Sequence, residues 1–271
     1  MAAPKSTEPR VGYIHGTSAS EQDRLAALNH LTNEQFVGFL DARAARRILD
    51  VGSGLGILAA RVAEAAPEAS VVGLERLAEQ LARGKTTVES SRVRFIHGDA
   101  HHLPFASRSF DIAYCRYVLE HVADPGAVLN EMHRVLREDG RVCVVENDIS
   151  AMRYDPPSDP FDEVWGKFAE LQRRVGGDGL IGSKLFRLLR GADYRDVELS
   201  IQPEVHWAGS PGFEAWIENQ LGNIRGAAAA LIESALVSRA RIEQAIADLD
   251  ALRKRDDASA IFYWNRATGR K

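Results

Sequence analysis

The 271 residues are 45% hydrophobic and 27% charged, with a formal net charge of −4. That length suits one α/β domain with insertions and a sizeable core, and the acidic balance offers no basic field to DNA or RNA. No stretch has the unbroken apolar length of a membrane helix and the N-terminus lacks a hydrophobic signal core, so a cytoplasmic protein away from membranes is expected. Cys115 and Cys143 both fall in apolar runs and read as buried free thiols of a reducing compartment.

In chain order, residues 1 to about 12 are polar and loose in character. Ser18-Ala19-Ser20-Glu21 is a capping-box pattern that starts a short helix over Gln22 to His30. Thr32-Asn33-Glu34-Gln35 predicts a second start, running through Phe36 to Leu40. Ile48 to Val51 then has the length and apolarity of a buried parallel strand. Gly52-Ser53-Gly54-Leu55-Gly56 follows, and Ile57 to Ala63 reads as the first turns of a helix. A strand that breaks into a glycine turn and re-enters as a helix aims backbone N–H groups and a positive helix end at whatever lies above it. Such a turn suits a nucleotide-type ligand.

Ser70 to Leu74 is a second strand ending in Glu75, where a carboxylate can accept from both ribose hydroxyls. A third strand, Val93 to Ile96, runs into His97-Gly98-Asp99-Ala100, placing an Asp for an adenine amino group. A fourth, Phe110 to Cys115, opens into Arg116-Tyr117-Val118-Leu119-Glu120-His121. Asp124-Pro125 starts a helix with Leu129, Met132, Val135 and Leu136 on one face, Gly140 ends it, and Arg141 to Val145 is a fifth strand. The βαβ rhythm then stops. Asp155-Pro156-Pro157 breaks the chain, an aromatic-rich helix carries Phe161, Trp165 and Phe168, and a helix spans Leu185 to Leu189. Val197 to Ile201 resumes strand character, residues 211–254 are helical, and Ile261 to Trp264 is the last strand.

Taken together, Leu49-Asp50-Val51-Gly52-Ser53-Gly54-Leu55-Gly56, Glu75, Gly98-Asp99-Ala100, Phe110-Asp111, Leu119-Glu120-His121-Val122 and Val135 to Gly140 closely resemble the motifs of the class I S-adenosylmethionine-dependent methyltransferases. The resemblance covers about residues 46 to 150 and is nearest to the subgroup of ubiquinone/menaquinone C-methyltransferases and small-molecule methyltransferases. It implies a Rossmann-like α/β fold: a seven-stranded, mostly parallel sheet with helices on both faces and the last strand antiparallel at the sheet edge. Residues 1–45 would be a helical lid, 46–150 the cofactor-binding core, and 151–271 the rest of the sheet with helical, substrate-covering insertions. Those insertions, 150–191 and 204–254, hold Trp165, Trp207 and Trp216.

The implied cofactor is S-adenosylmethionine, with S-adenosylhomocysteine as product. By the resemblance Gly52, Ser53, Gly54 and Gly56 lie under its methionine and ribose, Glu75 on the ribose, and Gly98, Asp99 and Ala100 at the adenine, flanked by Arg76 and Gln80. Arg116 meets the methionine end through its backbone. On the lid, Tyr13, His15, Gln22 and Arg24 either reach the methionine carboxylate or form a solvated cap. Methyl transfer is an in-line displacement, and a base is needed only where the acceptor sheds a proton. His121 is the first candidate base, against a packing role. Glu146 and Asp148, at the end of the fifth strand, are candidates to hold a substrate amine or hydroxyl.

Asp155-Pro156-Pro157-Ser158 lacks the stacking aromatic and the position of the Asp-Pro-Pro-Tyr signature of N-methyltransferases. His97, His101 and His102 cluster around Asp99 without thiolates, and no metal is expected. A dinucleotide oxidoreductase fits less well, because Gly56 comes one residue early for Gly-x-Gly-x-x-Gly. The expected partner is a small-molecule methyl acceptor, with a protein or tRNA acceptor or a non-catalytic cofactor-binding module as alternatives. The chain would act as a monomer or homodimer.

Overall fold

Strand β1 (Arg47–Val51) is the centre from which the rest is built. It pairs in parallel with β2 (Ser70–Glu75) on one side and β4 (Phe110–Arg116) on the other. Its last four residues are buried on both faces, which is why they read as an unbroken apolar run. In this computed structural model, which describes residues 19–271, β3 (Val93–His97) adds beside β2, and β5 (Leu136–Glu146) beside β4, both parallel. The final strand β8 (Ser259–Arg270) pairs antiparallel with β5 through Asn265 to Arg270. A short β6 (Arg153–Asp155) meets β8 at Ser259 to Ile261, and β7 (Arg195–Trp207) runs antiparallel along it from Ser259 to Arg270. A strand has only two edges, so β6 continues β5's lane past its end. The eight strands therefore occupy seven lanes.

The last strand is thus antiparallel as expected but interior. The edge belongs to β7, and both strands of this hairpin are far longer than their apolar segments. The reason lies on β7's inner face. Gln202, Glu204 and His206 are buried there, where the sequence pattern shows only polar residues. Glu204 Oε1 accepts from Trp264 Nε1 and from Gln202 Nε2, both at 2.9 Å, so the burial is paid in hydrogen bonds. The opposite residues, Leu199, Ile201, Val205 and Trp207, are exposed; Trp207 therefore lies on a strand rather than in an insertion.

Helix α1 (Ala19–Leu40) is one continuous helix where two were expected, because Thr32 Oγ1 bonds back to Leu28 O instead of capping a new start. Ser18 and residues 1 to about 12, expected to be loose, lie outside the described residues. With α2 (Ile57–Ala65) and the insertion helices α5 (Asp159–Arg174), α7 (Phe213–Glu233) and α8 (Arg239–Leu252), α1 packs one face of the sheet. Helices α4 (Pro125–Val135) and α6 (Leu185–Gly191) pack the other, and α3 (Ala78–Thr87) links β2 to β3. Helix α4 ends when Leu136 turns extended, so Gly140 sits within β5 and does not stop the helix.

Phe36 fastens α1 to the sheet: it is buried, with its ring 5.2 Å from that of Tyr114 on β4. Phe36→Ala is expected to cost about 3–5 kcal/mol. Urea unfolding measures it, and a loss below about 1 kcal/mol would show that α1 is not packed as described.

Candidate active site

The turn from β1 into α2 places Gly52, Gly54 and Gly56 all in the left-handed region, with φ of 75°, 53° and 72°. Side chains would strain this run of left-handed residues. At Gly52 they would also collide, since a Cβ there would lie 2.5 Å from Val118 Cγ2. The turn is tied to the neighbouring strand: Gly52 and Ser53 donate to Leu74 O at 2.8 and 3.0 Å. Gly54 N donates to Glu75 Oε2 at 2.9 Å, and Leu77 N to Glu75 Oε1 at 2.7 Å. Glu75 is buried, yet each carboxylate oxygen spends only one lone pair on these backbone bonds.

Next along the rim, Asp99 Oδ1 accepts from His101 N at 2.9 Å and from the His101 ring at 2.7 Å. Partial burial pushes the Asp99 carboxyl up, but these bonds and the nearby Arg76 outweigh it and hold it below its ordinary value. Arg116, the last residue of β4, reaches α1. Its guanidinium donates to Asn29 Oδ1 at 2.5 Å, Asn33 Oδ1 at 2.8 Å and Thr32 Oγ1 at 3.1 Å. Tyr117 follows in the left-handed region at φ 59°, its ring 4.5 Å from Trp264. Such strain costs of order 1–3 kcal/mol in a residue with a side chain and clusters at functional sites.

These elements surround one cavity of about 1050 Å³. A ligand pocket spans roughly 300–1,000 Å³, so there is room for a nucleoside and a second molecule. The wall includes the predicted Arg24, Gly52, Ser53, Gly54, Glu75, Arg76, Gln80, Gly98, Asp99, Ala100, Arg116 and His121. Tyr13 and His15 lie outside the described residues, and Gln22 is buried away from the wall. Gly56 also stands behind the wall: a Cβ there would overlap the ring of Phe95, so its place is packing.

Two predicted site residues are corrected. Glu146 is fully buried off the cavity and accepts from the backbone N–H groups of Val118, Leu119 and Glu120 at 2.9, 2.8 and 3.3 Å. It shapes the loop that carries His121. Burial first, then the nearby Glu120, raise its carboxyl above the usual range. Asp148 is also off the wall, and its carboxylate accepts from Ser150 N and Oγ at 3.1 and 2.5 Å. A strand end aims alternate side chains to opposite sides, and the residue between them, Asn147, is the one on the wall.

Sequence reading missed Glu120, which also lines the cavity; Asn147 Nδ2 and Gln172 Nε2 donate to its two oxygens at 2.8 and 2.9 Å. It missed Asn219, Gln220 and Asn223 of α7 as well, three amides on the buried face of a helix. Their signal was present as polar residues in phase with Trp216 and Leu231 on the apolar stripe. Trp165, Phe168 and Trp216 do line the cavity, joined by Phe262 and Trp264 of β8. Among the described residues no group of three or more His, Cys, Asp or Glu is placed to hold a metal ion.

Ser53 fits a cofactor here. It lines the cavity, and its Oγ is buried without a hydrogen-bond partner among the described residues. Buried polar atoms of this kind want a ligand or water. The matching family model is that of the methyltransferase domain, over residues 49–144. Residues 49–144 form a class I, S-adenosylmethionine-dependent methyltransferase domain.

The domain is similar to ubiquinone/menaquinone methyltransferases. The ubiquinone/menaquinone biosynthesis C-methyltransferase of Dinoroseobacter shibae is 36% identical over 151 residues, 51% of this chain and 60% of that one. The demethylmenaquinone methyltransferase of Deinococcus radiodurans is 37% identical over 107 residues, 39% of this chain and 44% of that one. The chain thus spans about half the length of the curated relatives it matches. Among solved structures, the YcgJ protein of Bacillus subtilis shares the fold with a TM-score of 0.59 at 21% identity, over 89% of this chain and 98% of that one. No helix of the described residues is long and apolar enough to cross a membrane.

Asp50 is raised to about 7, chiefly by burial, with Glu75 adding and Tyr114 and Arg116 opposing. An unfolded Asp titrates near about 4. Between these values the folded chain holds a proton that the unfolded chain has lost, so stability falls as pH rises from about 4 through 7. Asp50→Asn is expected to lessen the loss of urea midpoint between pH 5 and pH 8. An unchanged loss would show that Asp50 does not carry this titration.

Proposed function

We propose that this chain transfers a methyl group from S-adenosylmethionine to a small organic acceptor. The observation that carries the reading is one continuous cavity, with the Gly54–Glu75 cradle in its wall together with His121 and a set of aromatic rings. In this reading Glu75 takes the ribose hydroxyls, and Asp99, Ala100, Arg76 and Gln80 surround the adenine. Gly52, Ser53, Gly54, Arg24 and Arg116 hold the methionine end. Bound there, the cofactor supplies an electrophilic methyl on a sulfonium whose positive charge is lost on transfer. The residues' contribution is to align the nucleophile opposite the sulfur and exclude water.

His121 accepts the proton when the acceptor must shed one; it lies on the loop that Glu146 shapes, with Nε2 3.8 Å from Glu120 Oε1. Residues 151–271 supply α5, α7 and β8 to the acceptor side, which supports a division into cofactor-binding core and acceptor-covering half. The net charge of −4 favours a small molecule over tRNA. The relatives named for quinone biosynthesis support the same choice. Two buried free cysteines fit the reducing cytoplasm.

Calorimetric titration of the protein with S-adenosylmethionine and S-adenosylhomocysteine is expected to give micromolar binding, weakened at least about 100-fold by Glu75→Ala, since two hydrogen bonds to a buried carboxylate go at once. Binding of NAD alone would overturn the assignment. With an acceptor that loses a proton, His121→Ala is expected to lower kcat about 10²-fold or more with unchanged S-adenosylhomocysteine affinity. An unchanged kcat would make His121 a packing residue.

A further inference from the structure

One face of α7 is built against the rule for buried helices. Trp216, Asn219, Gln220 and Asn223 fall at spacings of 3, 1 and 3, which puts them on a single face. All four are buried and all four wall the cavity. A buried helix face is ordinarily apolar, as this one becomes further along at Ile224, Ala227 and Leu231. Three amides in that stripe cost stability unless something bonds them.

The bonds within the chain leave donors over. Arg24 Nη1 donates to Asn219 Oδ1 at 2.7 Å, which fixes the oxygen side of that amide and leaves Nδ2 as its free end. Asn223 Nδ2 donates to Gln220 Oε1 at 3.4 Å, leaving Gln220 Nε2 likewise. Among the described residues neither amide NH₂ donates a hydrogen bond, and the buried Trp216 Nε1 also lacks a partner. The contact with Arg24 is built in from both sides. Gly222 lets the arginine stem lie against α7, where a Cβ would stand 2.7 Å from Arg24 Cδ. Other rings on this cavity wall include those of Trp165 and Phe168, stacked at 5.2 Å, and of Tyr117, Phe262 and Trp264. A donor-rich row beside aromatic walls matches a flat apolar body with an oxygen at one end.

We propose that Asn219 and Gln220, set in the α7 row, are the acceptor-recognition site, and that they select a flat, largely apolar acceptor bearing a carbonyl or hydroxyl oxygen. This rests on the methyl-transfer reading and adds the acceptor's chemical class. The row lies outside residues 49–144, the part matched by the methyltransferase domain, so acceptor choice is made by the insertion and cofactor binding by the core.

The test is equilibrium dialysis of a matched pair against the full chain loaded with S-adenosylhomocysteine. The probes are 2-acetylnaphthalene and its oxygen-free analogue 2-isopropenylnaphthalene, with 2-aminomethylnaphthalene as a cationic third. The ketone is expected to bind at least tenfold more tightly than the other two. In Asn219→Leu and Gln220→Leu the preference over the hydrocarbon is expected to disappear, and in Gln220→Leu, which leaves the Arg24–Asn219 bond in place, S-adenosylhomocysteine affinity is expected to stay within twofold. Gln220→Glu, which keeps the volume and replaces the donor by an acceptor, gives the same reading if the leucine variants do not fold. Equal binding of the matched pair, tighter binding of the amine, no binding of any probe, or an unaltered preference in the variants would overturn the proposal. Failure of S-adenosylhomocysteine to load the wild-type chain would instead overturn the methyl-transfer reading.

Discussion

The bond from Gly54 N to the Glu75 carboxylate is the constraint on which the rest of the site depends. It joins the tip of β1 to the tip of β2, so the left-handed turn and the Glu75 carboxylate are set by the same parallel register that makes the sheet. Because Gly52 and Ser53 also donate to Leu74 O, the turn is held as an extension of β2 rather than as a free loop. A site placed this way inherits the rigidity of the core. The cost is borne by glycines, by the strained Tyr117 and by carboxyls kept out of water, Asp50 and Glu146 among them.

A second carboxylate does for the turn that carries His121 what Glu75 does for the glycine turn. Glu146 gathers three consecutive backbone N–H groups and so fixes the short turn that carries Glu120 and His121. Glu120 is in turn bonded by Asn147 from the end of β5 and by Gln172 from α5. The insertion is therefore wired into the core through buried polar groups. Partly satisfied networks of this kind are costly, and fully satisfied ones rigidify.

The sequence made the first half of the molecule legible because there each proposed cofactor contact coincides with a strong local signal. Val51 to Gly56, Glu75 and Asp99 all sit at the ends of apolar runs, where the pattern itself breaks. The second half was less legible for a physical reason. Buried polar residues on β7 and α7, such as Glu204 and Asn219, are bonded by partners far along the chain, Trp264 and Arg24. Local periodicity scores them as surface. Glu146 and Asp148 misled for another reason: an acidic residue at a strand end looks like a site, but their oxygens were already taken by backbone N–H groups, of Val118 to Glu120 for Glu146 and of Ser150 for Asp148.

The most direct measurement is a crystal structure of the full chain with S-adenosylhomocysteine. The account predicts the ribose hydroxyls on Glu75, the adenine beside Asp99, the homocysteine end over the Gly52–Gly54 turn, and the sulfur facing the space between His121 and α7. A nucleoside bound with Glu75 uncontacted, or with its sulfur directed away from the aromatic walls, would contradict it.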